Sequence, residues 1–316
     1  MRLIRGLHNL LSSDYDSEQG CVLTIGNFDG VHLGHQQLLK QVKLAAEELN
    51  LPSVIMLFEP LPIEFFNAKE APVRLMNLRE KVDCSNHHQL VDFMLLCKFN
   101  QTFSQQTAVE FVDDLLIKKL NVKKLIIGDD FRFAKNREGD FDFLQQRCKS
   151  YGVEVVRQST FTLDQQRVSS TRVRQCLTDN NLAEAERLLG CPFAFKGRVI
   201  HGKKLGRQLG FRTLNLNPKR NRMPVEGVYS VYVTGLADNA IAGVANIGIR
   251  PTVDGLRPSI EVHLFDWDKD VYGAHVGVQL HQFIRPEQKF NSLDELKNQI
   301  QLDVQTARHQ LEIATS

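Results

Sequence analysis

Apolar and polar positions fall into two regimes along this chain. In the first half, short continuous apolar runs at residues 22–25, 54–58, 91–97, 122–127 and 153–156 are the length of buried strands. Between them, Leu38, Val42, Ala45 and Leu49 recur at helical spacing, and residues 77–89 and 141–150 predict further helices. Thr107 and Glu110 form a capping box ahead of Val112, Leu115, Leu116 and Leu120. Pro60 and Pro62 stop the second run, and Gly128 ends the fourth. Strands alternating with helices predict an α/β unit with a parallel sheet and right-handed crossovers. Ligands of such sheets bind beyond the carboxyl ends of the strands. The turn at Gly26, the Glu59-Pro60 segment and residues 128–133 all fall at strand ends, so they are expected to share one face.

The pattern changes after the helix predicted at residues 182–189, which Gly190-Cys191-Pro192 breaks. Shorter alternating stretches follow at 228–233, 241–246, 260–264 and 276–280, with frequent Gly and Pro. They predict a small antiparallel β-barrel. Ser292 and Glu295 form a second capping box. It opens a C-terminal helix whose stripe of Leu296, Ile300, Val304, Ala307 and Leu311 is read as a face packed on the barrel, without chemistry. The division places one domain over residues 1–187 and another over 188–316.

Composition narrows the classes. At 316 residues two domains are expected. Lys plus Arg number 39 against 37 Asp plus Glu, a net charge of +2. That balance gives no reason to invoke nucleic acid or an acidic membrane surface, and no aromatic platform suggests base stacking. The six cysteines are scattered without C-x-x-C, as suits a reducing cytoplasm. No apolar run reaches the roughly 18 residues of a membrane span, and Arg5 and His8 interrupt any signal-peptide core. Oligomeric state is not legible.

Candidate chemistry begins at Gly26-Asn27-Phe28-Asp29-Gly30-Val31-His32-Leu33-Gly34-His35. A glycine-rich turn between a strand and a helix start brings backbone close to a ligand, and free N–H groups with a partial positive charge favour an anion there. His32 and His35 lie on one face of the first turn. Their alternatives are zinc binding, for which no nearby ligand completes a set, or a structural role. The stretch is neither G-x-G-x-x-G nor a P-loop. Asp129, Asp130 and Arg132 read equally as site residues or solvated loop charges. Ser169 or Ser170 reads as the N-cap of a helix carrying Val173, Cys176 and Leu177, and with Thr171 and Arg172 it also suits phosphates. In the second half, Gly202, Lys203, Lys204 and Arg207 could wrap phosphates or form a basic hairpin loop. Thr213 and Asn215 are oxygen donors on one side of an extended segment, suited to Mg²⁺. Glu261 points opposite to its apolar neighbours, as the solvent face of a strand also would.

The first stretch resembles the H-x-G-H signature of nucleotidylyltransferases. Its G-N-F-D-G-V-H-x-G-H form is similar to that of bacterial bifunctional riboflavin kinase/FAD synthetases. Residues 128–133, with Arg137-Glu138-Gly139-Asp140, resemble a further motif of that family, as do Ser169-Ser170-Thr171-Arg172-Val173-Arg174. In the second half, residues 205–215, 243–252 and 283–290 resemble riboflavin kinase motifs. The resemblance implies a Rossmann-like nucleotidylyltransferase domain before the barrel. It implies two ATP-dependent reactions, riboflavin to FMN and FMN to FAD with release of pyrophosphate, with riboflavin, FMN and ATP as small-molecule partners and Mg²⁺ as cofactor. It implies His32 and His35 as catalytic groups for FAD formation. It places ATP at Gly26, Asn27, Phe28, Asp29, Gly30, Ser169, Ser170, Thr171 and Arg172, and at Gly202 and Arg207 of the barrel. It places flavin at Phe58, Pro60 and Asp130, and at Asn246, Arg250 and Arg285. Glu261 becomes the kinase general base, and Thr213 and Asn215 the metal ligands.

The chain departs from the family at Ala134, where Gly is usual, and at Arg212 and Leu214, where Pro and Ala are usual. Arg212 adds charge and loosens the backbone before Thr213. The departure leaves an alternative, an FMN adenylyltransferase whose kinase-like barrel only binds flavin.

Overall fold

The computed structural model describes residues 1–10, 13–202, 210–252 and 255–312. It packs as two compact units, one of residues 1–72 and 81–169, the other of residues 73–80 and 170–316.

The first unit is built on a six-stranded parallel sheet in the order β1-β4-β3-β2-β5-β6. The strands are β1 (Arg2–Arg5), β2 (Cys21–Ile25), β3 (Ser53–Glu59), β4 (Phe93–Lys98), β5 (Val122–Gly128) and β6 (Glu154–Gln158). All five residues of β2 are buried, as a central parallel strand covered on both faces requires. Helix α1 (Leu33–Glu48) buries Leu38, Leu39, Val42, Ala45 and Ala46. Shorter helices follow at α2 (Pro62–Phe66), α3 (Leu78–His87) and α4 (Gln101–Ser104). Helix α5 (Ala108–Glu110) is capped by Thr107 and Glu110 as expected, but continues in wider π-helical turns over Phe111–Lys119. Helix α6 (Phe141–Lys149) completes this unit with a small hairpin of β7 (Thr162–Leu163) and β8 (Gln166–Arg167). From β2 the chain adds β3 and β4 on one side and β5 and β6 on the other. The crevice of this switch point lies at the carboxyl end of β2, where the Gly26 turn stands.

The second unit holds α7 (Ser170–Thr178), α8 (Leu182–Leu189) and a closed barrel in the order β10-β13-β12-β11-β14-β9. Its strands are β9 (Ala194–Ile200), β10 (Thr213–Leu216), β11 (Gly227–Thr234), β12 (Ile241–Thr252), β13 (Gly255–Leu264) and β14 (His275–Arg285). Ile260 and Val262 are fully buried. Outside, Val228 and Val244 meet Ala307 and Leu311 of the last helix, α9 (Leu293–Gln310). Ser292 caps α9 through Glu295 N, while the Glu295 carboxylate accepts from Asn291 N, one residue before the cap.

Residues 73–80 are clamped into this unit through buried polar groups. Asn77 and Glu80 cap the start of α3 reciprocally, at 2.7 and 3.0 Å. Glu80 also accepts from Lys196 N at 2.8 Å and pairs with Arg220, whose guanidinium donates to Leu75 O at 2.7 Å. Burial raises the Glu80 carboxyl above its usual range against the pull of Arg220. Removing one partner strands a buried charge, so Arg220→Ala is expected to cost about 3–5 kcal/mol in chemical denaturation of the barrel unit. A loss under about 1 kcal/mol, the size of a surface pair, would contradict the clamp.

Candidate active sites

The first site is the turn between β2 and α1. Phe28 and Val31 adopt φ of 45° and 42°, and Gly30 of 87°. For a β-branched residue such as Val31 this is a strained conformation that the surroundings must enforce. Phe28 is buried, its ring 5.0 Å from that of His35, and Asp29 is buried beside it. A β-carbon at Gly26 would stand 2.8 Å from the Phe28 ring, and one at Gly34 3.3 Å from the His32 ring. Gly26 and Gly34 therefore make room for two rings.

His32 is the N-cap of α1, and its Nδ1 accepts from His35 N at 3.3 Å. That contact puts the neutral ring's proton on Nε2, a donor. The His32 and His35 rings stack with centroids 3.6 Å apart. Burial, then His32, then Lys81 hold His35 well below the usual imidazole range, and its Nδ1 has no hydrogen-bond partner among the described residues. Among the described residues no group of three His, Cys, Asp or Glu side chains gathers to hold a metal. The turn offers one neutral donor ring, a second neutral ring behind it and a helix N-terminus, an arrangement that receives an anion.

The neighbouring strand ends complete this face. Phe58, next to last in β3 and two residues before Pro60, meets Phe99 and Phe103 at 5.9 and 5.3 Å. These rings form an aromatic wall suited to a flat apolar ring. After β5, Asp130 pairs with Arg167 at 2.8 Å and Asp129 accepts from Thr160 at 2.8 Å, tying this loop to the β7–β8 hairpin. Arg132 turns back to Phe131 O instead. Ala134 adopts φ 66° and ψ −177°, a region glycine occupies almost alone. Further on, α7 starts at Ser170 and buries Val173, Cys176 and Leu177. Arg172 is ion-paired to Glu184 at 2.6 Å.

The second site lies on the outer face of the barrel. Asn215, Glu261 and Asn246 stand opposite one another across β10, β13 and β12, and Val228 and Arg285 continue the row. Val228 and Val244 of this face touch α9, so Glu261 faces the space beneath that helix. A cavity of about 270 Å³ opens there, with apolar walls from Phe211, Val244, Phe290, Leu296 and Ile300. Thr213, Asn246, Glu261 and Glu287 are among its polar groups. The α9 stripe thus does two jobs: Ala307 and Leu311 pack on the barrel, and Leu296 and Ile300 wall the cavity. Arg285 reaches Asp303 of α9 through two bonds of 2.8 and 2.7 Å, which fixes the roof.

A second cavity, about 260 Å³, is lined by Arg212, Trp267, Lys269 and Tyr272, and Thr213 lines both. Arg212 donates to Asp268 O at 3.1 Å, and its own carbonyl accepts from His263 Nδ1 at 2.8 Å. Burial lowers the His263 pKa, against that bond. The backbone before Thr213 is thus held from two sides without proline. Thr213 and Asn215 lie two residues apart on β10, and a β-carbon at Gly202 would overlap the Asn215 amide. Two neutral oxygen donors suit Mg²⁺, which keeps several waters and takes few protein ligands, so these residues fit it. Arg207 and the side chain of Arg250 lie outside the described residues.

Sequence reasoning assigned no role to Glu287, His263, Arg167 or Lys81. Glu287 accepts from Asn246 at 2.8 Å and lies flat over Gly248, where a β-carbon would meet its carboxylate. Gly248 was the available signal, since a glycine inside a strand marks close approach.

An FAD synthetase family model matches residues 14–172, and a riboflavin kinase model matches residues 189–311. The bifunctional riboflavin kinase/FMN adenylyltransferase of Escherichia coli K12 is 51% identical over 312 residues, covering 98% of this chain and 97% of that protein. Its counterpart in Haemophilus influenzae is 48% identical over 308 residues, covering 98% of each. A crystal structure described as a macrolide-efflux protein from Streptococcus pneumoniae superposes with a TM-score of 0.77 at 30% identity, covering 98% of this chain and 99% of that one. None of the helices described here is long and apolar enough to cross a membrane.

Two outcomes follow from this geometry. Ala134→Gly is expected to stabilise the first unit by about 1 kcal/mol by relieving the strained backbone, read as a raised denaturation midpoint; a lower midpoint would contradict it. Below about pH 6.5 the unfolded chain binds a proton that folded His35 refuses, so stability should fall on acidification from there. His35→Gln should flatten that slope in urea titrations between about pH 7.5 and about 5.5. An unchanged slope would contradict the buried neutral ring.

Proposed function

The chain belongs to the bifunctional riboflavin kinase/FMN adenylyltransferase family, and from that premise we propose how its residues divide the two reactions. It phosphorylates riboflavin to FMN and adenylylates FMN to FAD, with ATP as co-substrate in both. We assign FAD formation to residues 1–187 and FMN formation to residues 188–316.

In the barrel, riboflavin occupies the cavity beneath α9, with its ring against Phe211, Phe290, Leu296 and Ile300. Asn246, which Glu287 holds, and Arg285 orient it, and Arg250 is assigned to the flavin on its motif alone. Glu261 accepts the proton of the ribityl 5′-hydroxyl as that oxygen attacks the γ-phosphorus of ATP, with ADP leaving. The cavity beside Arg212 takes the nucleotide, and Gly202 and Arg207 are assigned to its phosphates on their motif alone. Thr213 and Asn215 would hold Mg²⁺, which when bound supplies charge neutralisation at the ATP phosphates. The observation that carries this reading is that Thr213 lines both cavities while Glu261 lines one of them, so base and metal donor converge where two substrates would meet. Arg212 leaves that convergence in place and is itself bonded across the nucleotide cavity.

In the first unit, the FMN phosphate attacks the α-phosphorus of a second ATP and pyrophosphate leaves. The backbone of Gly26, Asn27, Phe28, Asp29 and Gly30 lies along the nucleotide, and the His32 Nε2–H donates to the charge that develops on the transferring group. His35 stays neutral and supports the His32 ring. Phe58, Pro60 and Asp130 border the flavin. Ser169, Ser170, Thr171 and Arg172 are assigned to ATP phosphates on their motif alone. The balanced charge and scattered free cysteines support a cytoplasmic enzyme that acts on small molecules and not on nucleic acid.

Two substitutions test the division. His32→Ala should lower FAD formation from FMN by about 10²–10³ and spare FMN formation. Glu261→Ala should lower FMN formation from riboflavin by about 10²–10⁴ and spare FAD formation. Chromatography of the flavins reads both. Equal loss of the two activities in either variant would refute the division.

A further inference from the structure

Lys81 of α3 is only 4% exposed, and its Nζ donates to the Asn27 carbonyl at 2.7 Å. Burying an ammonium group costs free energy that a neutral side chain would avoid. Asn27 stands between Gly26 and the left-handed Phe28, and Val31 repeats that conformation three residues later. Lys81 thus brings a buried donor to the strained turn that carries His32 and His35.

We propose that Lys81 is a positioning residue for adenylyl transfer: it pins the Asn27 carbonyl, holds residues 28–31 in their strained conformation, and sets a fixed positive charge behind the paired histidines. This rests on the reading of that turn as the site of FAD formation. Two features favour such a role over mere packing. Its ammonium donates to a backbone carbonyl of the turn itself, next to the left-handed Phe28. The charge also acts on His35, together with burial and His32, and so favours the neutral ring that stacks against His32. The phosphate-binding turn receives its shape from a helix about fifty residues away in sequence, and from the proximity arguments of catalysis a small displacement there is costly to rate.

The test uses the full chain with Lys81→Met, Lys81→Gln, Lys81→Arg and His32→Ala, measuring kcat and KM for FAD formation from FMN and ATP. FMN formation from riboflavin is measured in the same preparations as an internal control. Lys81→Met is expected to lower kcat for FAD formation by about 10- to 100-fold, with FMN formation within about twofold of the parent. Lys81→Arg, which keeps donor and charge, should recover most of that loss, and Lys81→Gln, which keeps only a donor, should not. Lys81→Met within about threefold of the parent, while His32→Ala lowers FAD formation by about 10²–10³, would overturn the proposal alone. Should Lys81→Met lose both activities through misfolding, equal rates for Lys81→Arg and Lys81→Gln would overturn it instead. Full FAD formation by His32→Ala would overturn the site assignment on which the proposal stands.

Discussion

The left-handed turn between β2 and α1 is the constraint on which the first unit depends. Val31 and Phe28 hold conformations that cost about 1–3 kcal/mol each and persist only because the fold enforces them. The enforcement is visible. Phe28 is buried against His35, Gly26 and Gly34 leave space for the rings, and Lys81 grips the Asn27 carbonyl. The outcome is that His32 caps α1 through Nδ1 and presents Nε2–H as a donor. The turn sits at the switch point of the sheet, so the ends of β3 and β5 bring their aromatic and acidic loops to the same face. Strain is stored where the chemistry needs fixed geometry, and the parallel sheet supports it.

The barrel reaches precision differently, through register. Antiparallel pairing sets Asn215, Glu261 and Asn246 in one row, so no strained backbone is needed to align base, donor and orienting amide. The last helix roofs that row, and the Arg285–Asp303 pair joins the roof to β14. Asp303 is buried and the bond is bidentate, so the pair positions the roof. Arg285 therefore has a structural duty beside the flavin role that the resemblance implies.

Much of this was legible in the chain because the central strands are continuous apolar runs and the main helices are amphipathic. The runs at 22–25, 54–58 and 122–127 became β2, β3 and β5 within a residue or two. The strands that escaped notice lack such runs. β1 carries two arginines in four residues, and β9 carries Lys196, Gly197 and Arg198. Both are fixed by their pairing, β1 on β4 and β9 between β10 and β14. Site residues were legible where a motif concentrated them, and they were missed where a distant element supplied them. Lys81 reads as an ordinary polar position of an amphipathic helix until its bond to Asn27 is seen. Leu296 and Ile300 read as packing because periodicity reports a buried face without saying what covers it. The left-handed conformation of Ala134 gives the physical meaning of that departure from the family, which residue identity alone did not.

The central claim is that one chain carries two separable sites, one feeding the other. Mixing His32→Ala protein with Glu261→Ala protein, in Mg²⁺, ATP and riboflavin, tests it most directly. Neither variant alone should convert riboflavin to FAD. The mixture should, because FMN released by the first becomes substrate for the second. A mixture that accumulates FMN without FAD, or forms neither, would contradict the account.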